Sequence, residues 1–166
     1  MGITLARVDW VDPRAAALRA AMEVEMSAIY ATGFDGYPPG VRRLFSAAFD
    51  VDPATVVATL LALDAGSGLP VGQAGLRPFG ADGALEVKKV MVDSGHRGRG
   101  IARALMLELE SVARGLGAPR LVLQTGDRQP AAIGLYESIG YRVIAPYAPF
   151  ELMSGALCYE KRFAAP

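Results

Sequence analysis

Cations and glycines are concentrated in one short segment of the chain, DSGHRGRGIARAL at positions 93–105. Arg97 and Arg99 flank Gly98, Gly100 follows, and an apolar pattern typical of a helix begins directly afterwards. The first turn of a helix carries backbone N–H groups without intrahelical partners and the positive end of the helix dipole. Glycine lets a ligand approach the backbone closely because it has no Cβ. The segment therefore predicts an anion site for phosphate or pyrophosphate, to which the two arginines add charge.

The same segment has a simpler interpretation, a solvated basic turn in which the glycines only reverse the chain. Two standard phosphate motifs are absent from the sequence: it has no Gly-Lys-Ser/Thr of a Walker loop, and Arg103 stands where the dinucleotide fingerprint has its third glycine. A nucleotide-phosphate binder that uses only the glycine turn is a further alternative. His96 lies in this turn, so we expect it to contact solvent or phosphate rather than to take part in catalysis.

The composition limits the classes of partner. The chain has 166 residues, and its 17 Lys and Arg balance its 17 Asp and Glu, so we expect a single domain over 1–166 and no general attraction to nucleic acid or an anionic membrane. No apolar run approaches the ~20 residues of a membrane span, and the N-terminal residues lack a signal-peptide pattern. Cys158 is the single cysteine, which favours the cytoplasm, and with the single His96 it cannot form a tetrahedral zinc site.

Hydrophobic periodicity and Gly/Pro punctuation predict the elements that position the glycine turn. The turn joins a strand that ends near Val92 to the helix that follows, so that a strand-loop-helix-strand unit forms the centre of the chain. Strands and helices in this order are typical of an α/β (α+β) fold with one mixed sheet. Strands are predicted at 3–8, 54–63, 69–79, 84–92, 120–125, 141–145 and 156–163, and helices at 13–31, 41–49, 101–117 and 130–140.

Three motifs in the right order resemble the GNAT superfamily, the acetyl-CoA-dependent N-acyltransferases. RGRGIA at 97–102 fits that family's pyrophosphate loop, Gln/Arg-x-x-Gly-x-Gly/Ala. LEVKKVMVD at 85–93 resembles its fourth strand, and QPAAIGLYESIGY at 129–141 resembles its second motif. ALCYEKRF at 156–163 resembles its closing strand. The resemblance covers most of the chain from about residue 55 onward, and residues 1–50 match only in layout.

The resemblance implies the GNAT fold: a central, mixed and mostly antiparallel sheet of about seven strands, flanked by about four helices and splayed between the fourth and fifth strands. It also implies acetyl-CoA as cosubstrate and no metal. The pantetheine arm would pair with the backbone of Val90, Met91 and Val92, and an N–H near Val90 would face the thioester carbonyl. Gln129 stands where the family usually has Asn, and it keeps an amide for the CoA arm. The pyrophosphate would be held by N–H groups of Arg97, Gly98, Arg99, Gly100, Ile101 and Ala102.

Two side chains are candidates for the proton transfers that the resemblance implies. Glu86 is the candidate base, because a primary amine is mostly protonated near neutral pH. The alternative for Glu86 is an ion pair with Lys88, since residues i and i+2 share a strand face. Tyr136 occupies the position of a family tyrosine that protonates the departing CoA sulfur, and the alternative is that it only packs among apolar residues.

The acceptor would bind between two loops, residues 30–40 and 144–155. Aromatic residues of these loops would form the walls of the site: Phe34, Tyr37, Tyr147 and Phe150. The carboxylates of Asp35 and Glu151 would attract a cationic amine. The sequence thus predicts transfer of acetyl to a primary amine, of a small molecule, by direct attack through a tetrahedral intermediate. The alternative is a non-catalytic acyl-CoA-binding or sensor protein on the same fold. Many GNAT proteins form dimers, so a homodimer is also expected, although no segment identifies an interface.

Overall fold

The computed structural model describes residues 2–164, which form seven strands and four α-helices. The strands are β1 (Ile3–Val8), β2 (Ala58–Asp64), β3 (Pro70–Phe79), β4 (Ala84–Val92), β5 (Arg120–Gly126), β6 (Arg142–Ile144) and β7 (Ala156–Arg162). The helices are α1 (Pro13–Ile29), α2 (Pro39–Phe49), α3 (Ile101–Gly115) and α4 (Pro130–Ser138). Among the described residues, no helix is both long and apolar enough to span a membrane.

All seven strands belong to one sheet with the order β1-β2-β3-β4-β5-β7-β6. Every neighbouring pair is antiparallel except β4 and β5, which run parallel. A parallel pair needs a crossover connection, and the loop at 93–100 together with α3 supplies it. The predicted fold class, a mixed and mostly antiparallel sheet with about seven strands and four helices, is confirmed.

The pairing between β4 and β5 is confined to one end of the two strands. The register joins only Leu85 with Leu121 and Glu86 with Val122, although β4 continues to Val92 and β5 to Gly126. Beyond Glu86 the strands diverge, which opens a gap inside the sheet. The splay predicted between the fourth and fifth strands is therefore present, and Glu86 lies at the point where the gap begins.

Side chains alternate between the two faces of the sheet along each strand, so an apolar cluster forms on each face. The main apolar cluster includes Leu85 and Val87 of β4 with Ile101 and Leu105 of α3. A smaller cluster packs Ala15 and Leu18 of α1 against the opposite face, with Leu61 and Met91. Because neighbouring residues of a strand point to opposite faces, Glu86 and Lys88 face the side of α1 and α2.

The predicted elements differ from the structure mainly at their ends. The start of the second predicted strand, residues 54–55, belongs instead to a 3₁₀ turn at Pro53–Thr55, where the Asp52 carboxylate accepts a hydrogen bond from Ala54 N. An Asp-Pro pair favours such a turn. The helix predicted to start at residue 41 begins at Pro39, a residue type well suited to a first helical position. The single domain over 1–166 stays a prediction, and residues 1, 165 and 166 lie outside the described part.

Candidate active site

A β-bulge interrupts β4 next to the gap. The register pairs Gly75 with Lys88 and then Gln73 with Met91, so Lys89 and Val90 are not in register with any residue of β3. Lys89 has a φ of 55°, and it is the one non-glycine residue with a positive φ in the part of the chain that the structure describes. This conformation costs an L-residue ~1–2 kcal/mol, so surrounding contacts must hold it in place.

Buried side chains from β3 and α1 brace this bulge. The Gln73 amide, 0% exposed, donates a hydrogen bond to the Lys89 carbonyl oxygen. Its own oxygen accepts from Arg19 Nη1 at 3.3 Å. Arg19 Nη2 donates to the Trp10 carbonyl oxygen at 2.5 Å, and the guanidinium lies 3.9 Å from the centre of the Trp10 ring. The bulge is thus connected through two side chains to the start of α1.

The glycine turn joins the open end of β4 to α3. Gly98 and Gly100 have φ values of 75° and 76°, and Gly100 is the N-cap residue of α3. A Cβ built on either glycine would meet no other atom within 4 Å. Asp93 fixes the start of the turn by accepting hydrogen bonds from Gly95 N at 3.1 Å and by pairing with His96 Nδ1 at 2.7 Å. The turn therefore presents exposed backbone at a helix N-terminus, as the sequence predicts for an anion site.

The arginines of this turn make contacts within the protein. Arg97 forms two hydrogen bonds to Glu25 of α1, at 2.8 and 2.5 Å, and a third to the Val92 carbonyl oxygen at 3.1 Å. The hydrogen bond from Arg97 holds the pKa of the Glu25 carboxyl below its usual range. Arg99 donates to the Gly95 carbonyl oxygen at 3.3 Å. In this structure the Arg97 charge is thus shared with a carboxylate, which the sequence did not indicate.

The other predicted cofactor residues lie along the gap or at its ends. Val90 is half-buried, Met91 packs against α1, and Ile101 packs into the core where α3 meets β3. Ala102 is half-buried in the first turn of α3. Gln129 is the N-cap residue of α4, and its side-chain amide lies 3.5 Å from the Tyr30 hydroxyl. The structure brings these residues to the edges of one gap, and their contacts with CoA stay a prediction.

Glu86 is 2% exposed and has three hydrogen-bond donors around its carboxylate. Arg77 Nε donates to Oε2 at 2.7 Å, while the Tyr147 hydroxyl and Lys88 Nζ contact Oε1 at 3.0 and 3.5 Å. The ion pair with Lys88 that the sequence left open is therefore present, together with a shorter one to Arg77. Burial, opposed by the charge of Glu86, lowers the pKa of Lys88 to about 8.

A cavity of about 360 Å³ lies beside this carboxylate. Arg77 and Glu86 supply charged groups to its wall, and Phe79 and Tyr147 supply aromatic rings whose centres are 4.6 Å apart. The remaining walls come from the end of α2, the 3₁₀ turn before β2, the end of β3 with its following turn, and the connection from β6 to β7: Ala48, Thr55, Pro78, Gly80, Ala148 and Phe150. Two of the predicted acceptor residues, Tyr147 and Phe150, thus line a pocket, and both come from the second predicted loop.

The aromatic residues of the first predicted acceptor loop pack against α2. Phe34 and Tyr37 pack against Phe45 of α2, with ring centres 5.8 and 5.0 Å apart. The Tyr37 hydroxyl accepts a hydrogen bond from Ser154 N at 2.7 Å. These two aromatic residues connect the loop before α2 to the β6–β7 connection and do not line the cavity, and neither do Asp35 and Glu151.

Tyr136 is 6% exposed and packs between the rings of Tyr141 and Tyr159, with ring centres 6.0 and 6.1 Å away. Burial raises the pKa of Tyr136 to about 12. Tyr136 is not among the three residues whose side chains donate to the Glu86 carboxylate in the described part of the chain. The packing role that the sequence left open is present, and the role as an acid stays a prediction.

Sequence reasoning missed Arg77 and the Gln73–Arg19 brace. A signal for Arg77 was available, because a four-residue turn at 80–83 between two antiparallel strands places residue 77 opposite residue 86. The brace had no such signal, since it depends on how α1 crosses the sheet. Within residues 2–164, no group of three or more His, Cys, Asp or Glu is arranged to hold a metal ion.

Comparison with known proteins decides the family. The profile of the acetyltransferase (GNAT) family matches residues 18–141, from α1 to the residue after α4 and its turn. The chain belongs to the GNAT family. Its fold, its glycine turn and its splayed strands are therefore those of an acetyltransferase of this family, and the resemblance inferred from the three motifs is confirmed.

Two curated relatives of this GNAT chain differ in how much of their length it matches. N-alpha-acetyltransferase RimI of Mycobacterium tuberculosis is 34% identical over 151 residues, which are 90% of this chain and 87% of RimI. N-acetyltransferase 8B of Rattus norvegicus is 34% identical over 120 residues, which are 65% of this chain. The match spans only about half of that rat protein, 54% of its length.

Solved structures give the same fold over nearly the whole GNAT chain. A protein of Klebsiella pneumoniae assigned as an acyl-CoA N-acyltransferase has a TM-score of 0.75 and 27% identity, with 96% of this chain and 97% of that chain covered. The PaiA N-acetyltransferase of Thermoplasma acidophilum, solved in complex with coenzyme A, has a TM-score of 0.67 over 98% and 100% of the two chains. At 14% identity this second likeness shows the fold alone.

Proposed function

We propose that this acetyltransferase transfers acetyl from acetyl-CoA to the primary amine of a small molecule by direct attack. One observation carries the proposal: Glu86 lies both at the point where β4 and β5 separate and in the wall of the 360 Å³ cavity. A carboxylate between an acyl-donor gap and an acceptor cavity is where a base for an incoming amine must be. The volume lies in the usual range for small-molecule sites.

Acetyl-CoA would occupy the gap, where it supplies an activated acyl group as a thioester. The residues fit it in two respects. The turn at Gly98 and Gly100 leaves room where a Cβ would otherwise stand, at the N-terminus of a helix. The bulge takes Val90 out of register with β3, which frees this part of β4 to offer backbone groups to a ligand in the gap. The coenzyme A complex of PaiA, which shares the fold, supports this placement.

Glu86 would accept the proton of the attacking ammonium. The hydrogen bonds from Arg77 and Tyr147 fix the orientation of its carboxylate, so that little reorganisation is needed when the amine arrives. Tyr136 would donate a proton or a hydrogen bond to the leaving sulfur. Its raised pKa keeps the phenol protonated at neutral pH, as a donor requires.

A matched pair of carboxylates tests the role of Glu86. Glu110 of α3 is also 2% exposed and is also paired with two cations, Lys161 at 2.7 Å and Arg114 at 3.1 Å. Glu86→Gln and Glu110→Gln therefore disturb comparable buried ion pairs and should lower the thermal midpoint similarly. With released thiol as the readout, only Glu86→Gln should lower kcat/KM, by ~10²–10⁴-fold.

Tyr136 has a similar control. Tyr141 is buried beside it, and the Tyr141 hydroxyl lacks a partner among the described residues. Tyr136→Phe should lower kcat while Tyr141→Phe should not. Equal rates in the two variants would assign Tyr136 to packing alone, and unchanged turnover in Glu86→Gln would remove the proposed base.

A second candidate acceptor is the N-terminal amine of a protein, which the likeness to RimI over 90% of this chain favours. A screen of small amines against short peptides with free N-termini separates the two. Tight binding of acetyl-CoA without thiol release in either group would instead support a non-catalytic acyl-CoA sensor. The homodimer and the cytoplasmic location stay predictions.

A further inference from the structure

Two cations, Arg77 and Lys88, pair with the Glu86 carboxylate beside the cavity. Arg77 and Glu86 are the charged residues among those that line it within the described chain. Lys88 adds a second cation behind them, 3.5 Å from the same carboxylate and 7% exposed. Two buried or half-buried cations thus surround one buried carboxylate.

Uncharged backbone carbonyl groups accept the remaining hydrogen bonds of Arg77 and Lys88. Arg77 Nη1 and Nη2 donate to the carbonyl oxygens of Asp50 and Ala48, at 3.2 and 3.3 Å, and Lys88 Nζ donates to Ala48 at 3.1 Å. These carbonyls belong to the C-terminal end of α2, the negative end of its dipole. Such dipoles moderate a cation but do not neutralise it.

This arrangement discriminates between acceptors. An acceptor that carries only an ammonium group would bring a third cation into the cavity, which like-charge repulsion opposes. An acceptor with a carboxylate as well would neutralise the surplus. Each terminal nitrogen of Arg77 has two N–H bonds and makes one hydrogen bond in the structure, so the guanidinium retains two N–H groups that can bind a carboxylate.

The distance between the two charged groups limits the acceptor further. Arg77 Nε lies 2.7 Å from Glu86 Oε2, so a carboxylate on the guanidinium and an amine at the base must be close together in the acceptor. Phe79, Tyr147 and Phe150 contribute aromatic rings to the same wall, which suits an apolar substituent. We propose that the acceptor is an α- or β-amino acid with an apolar side chain, and that Arg77 binds its carboxylate. The inference rests on the proposed function, since it assigns the acceptor of that same site.

Pairs of amines that differ only in the carboxylate test this proposal. Phenylalanine is compared with phenethylamine, and leucine with 3-methylbutylamine, by thiol release from acetyl-CoA. We expect kcat/KM to be at least ~10-fold higher for each amino acid than for its decarboxylated partner, as a charge-assisted contact implies. In Arg77→Gln this ratio should fall ~10-fold or more, whereas Arg77→Lys should keep part of it.

The ratio separates binding of the acceptor from mere orientation of Glu86, because loss of orientation slows both amines of a pair equally. A ratio of one or less in the unsubstituted protein, or a ratio unchanged in Arg77→Gln, overturns the proposal. If Arg77→Gln does not fold, 3-phenylpropionate provides a second measurement on the unsubstituted protein: it should inhibit competitively against the amine, and lack of inhibition at millimolar concentration also overturns it. Failure of the proposed function gives a different result: acetyl-CoA binds, but no thiol is released from it with any of the four amines.

Discussion

The brace behind the bulge leads to a quantitative prediction for Gln73→Leu. Leucine is apolar and close to glutamine in size, so the substitution mainly removes the amide that contacts Lys89 and Arg19. A buried group left without its partner costs ~1–3 kcal/mol. The positive φ of Lys89 costs ~1–2 kcal/mol. Because these two costs are similar, we expect the bulge to lose its single fixed conformation when the amide is lost.

Loss of this fixed conformation would misplace the Val90 N–H, the predicted oxyanion donor. Removal of one oxyanion donor typically costs ~10²–10³-fold in kcat, and we expect Gln73→Leu to lose ~10²-fold. The affinity for CoA should fall less than kcat, because the glycine turn predicted to bind the pyrophosphate makes no hydrogen bond with Gln73 or Arg19. Steady-state kinetics and calorimetry with CoA measure the two quantities separately.

Thr59→Val is the control for this experiment. Thr59 is buried on the neighbouring strand β2, and its hydroxyl has no partner among residues 2–164. Replacement of Thr59 by valine removes a polar group without breaking a hydrogen bond, so kcat should remain that of the unsubstituted protein. An unchanged kcat in Gln73→Leu, with CoA affinity and stability as in the unsubstituted protein, would show that the bulge does not position a catalytic group.

Two further predictions concern the glycine turn and Lys88. Gly100→Ala and Gly117→Ala substitute glycines with the same φ of 76° at opposite ends of α3, so both variants should lose ~1–2 kcal/mol of stability. Calorimetry should show weaker CoA binding only for Gly100→Ala. Equal affinities of the two variants for CoA would contradict the argument that Gly100 lets the ligand approach the backbone closely. For Lys88, the folded pKa of about 8 lies below the ordinary 10.5, so below pH 8 the folded state bears a cost that disappears as the pH rises to 10.5. At ~1.4 kcal/mol per pKa unit this is worth about 3 kcal/mol, and Lys88→Met should reduce the rise of unfolding free energy across that window; an identical rise in both proteins would refute it.

Local patterns predicted most of the fold because each element is specified within a few residues. The strand at 84–92 was predicted with the bounds that β4 has, since alternating apolar residues lie between glycine-containing turns. The short strand at 3–8 was predicted with its bounds as well, and the last strand, predicted at 156–163, ends one residue earlier, at Arg162. The pairing of β4 with β5, by contrast, depended on the family resemblance, because nothing in either strand's own residues shows that the two diverge.

The site was predicted less completely because several of its contacts join residues far apart in sequence. Glu86 and Tyr147 are 61 positions apart, and Arg97 and Glu25 are 72 apart. No periodicity within a segment reports such a pair. The same limit explains why Phe34 and Tyr37 were expected as acceptor walls: their type suited a pocket, and only the structure showed that their rings pack against Phe45 of α2.

The short pairing of β4 with β5 divides the sheet into two halves with a seam between them. On one side lie β1 to β4, on the other β5, β7 and β6, and two residue pairs join them across the seam. A ligand in the gap would supply across the seam the hydrogen bonds that the strands do not make with each other. Occupancy would then tie the halves together, and at a concentration of ~100 times Kd it would add ~2.7 kcal/mol to the resistance of the protein to unfolding.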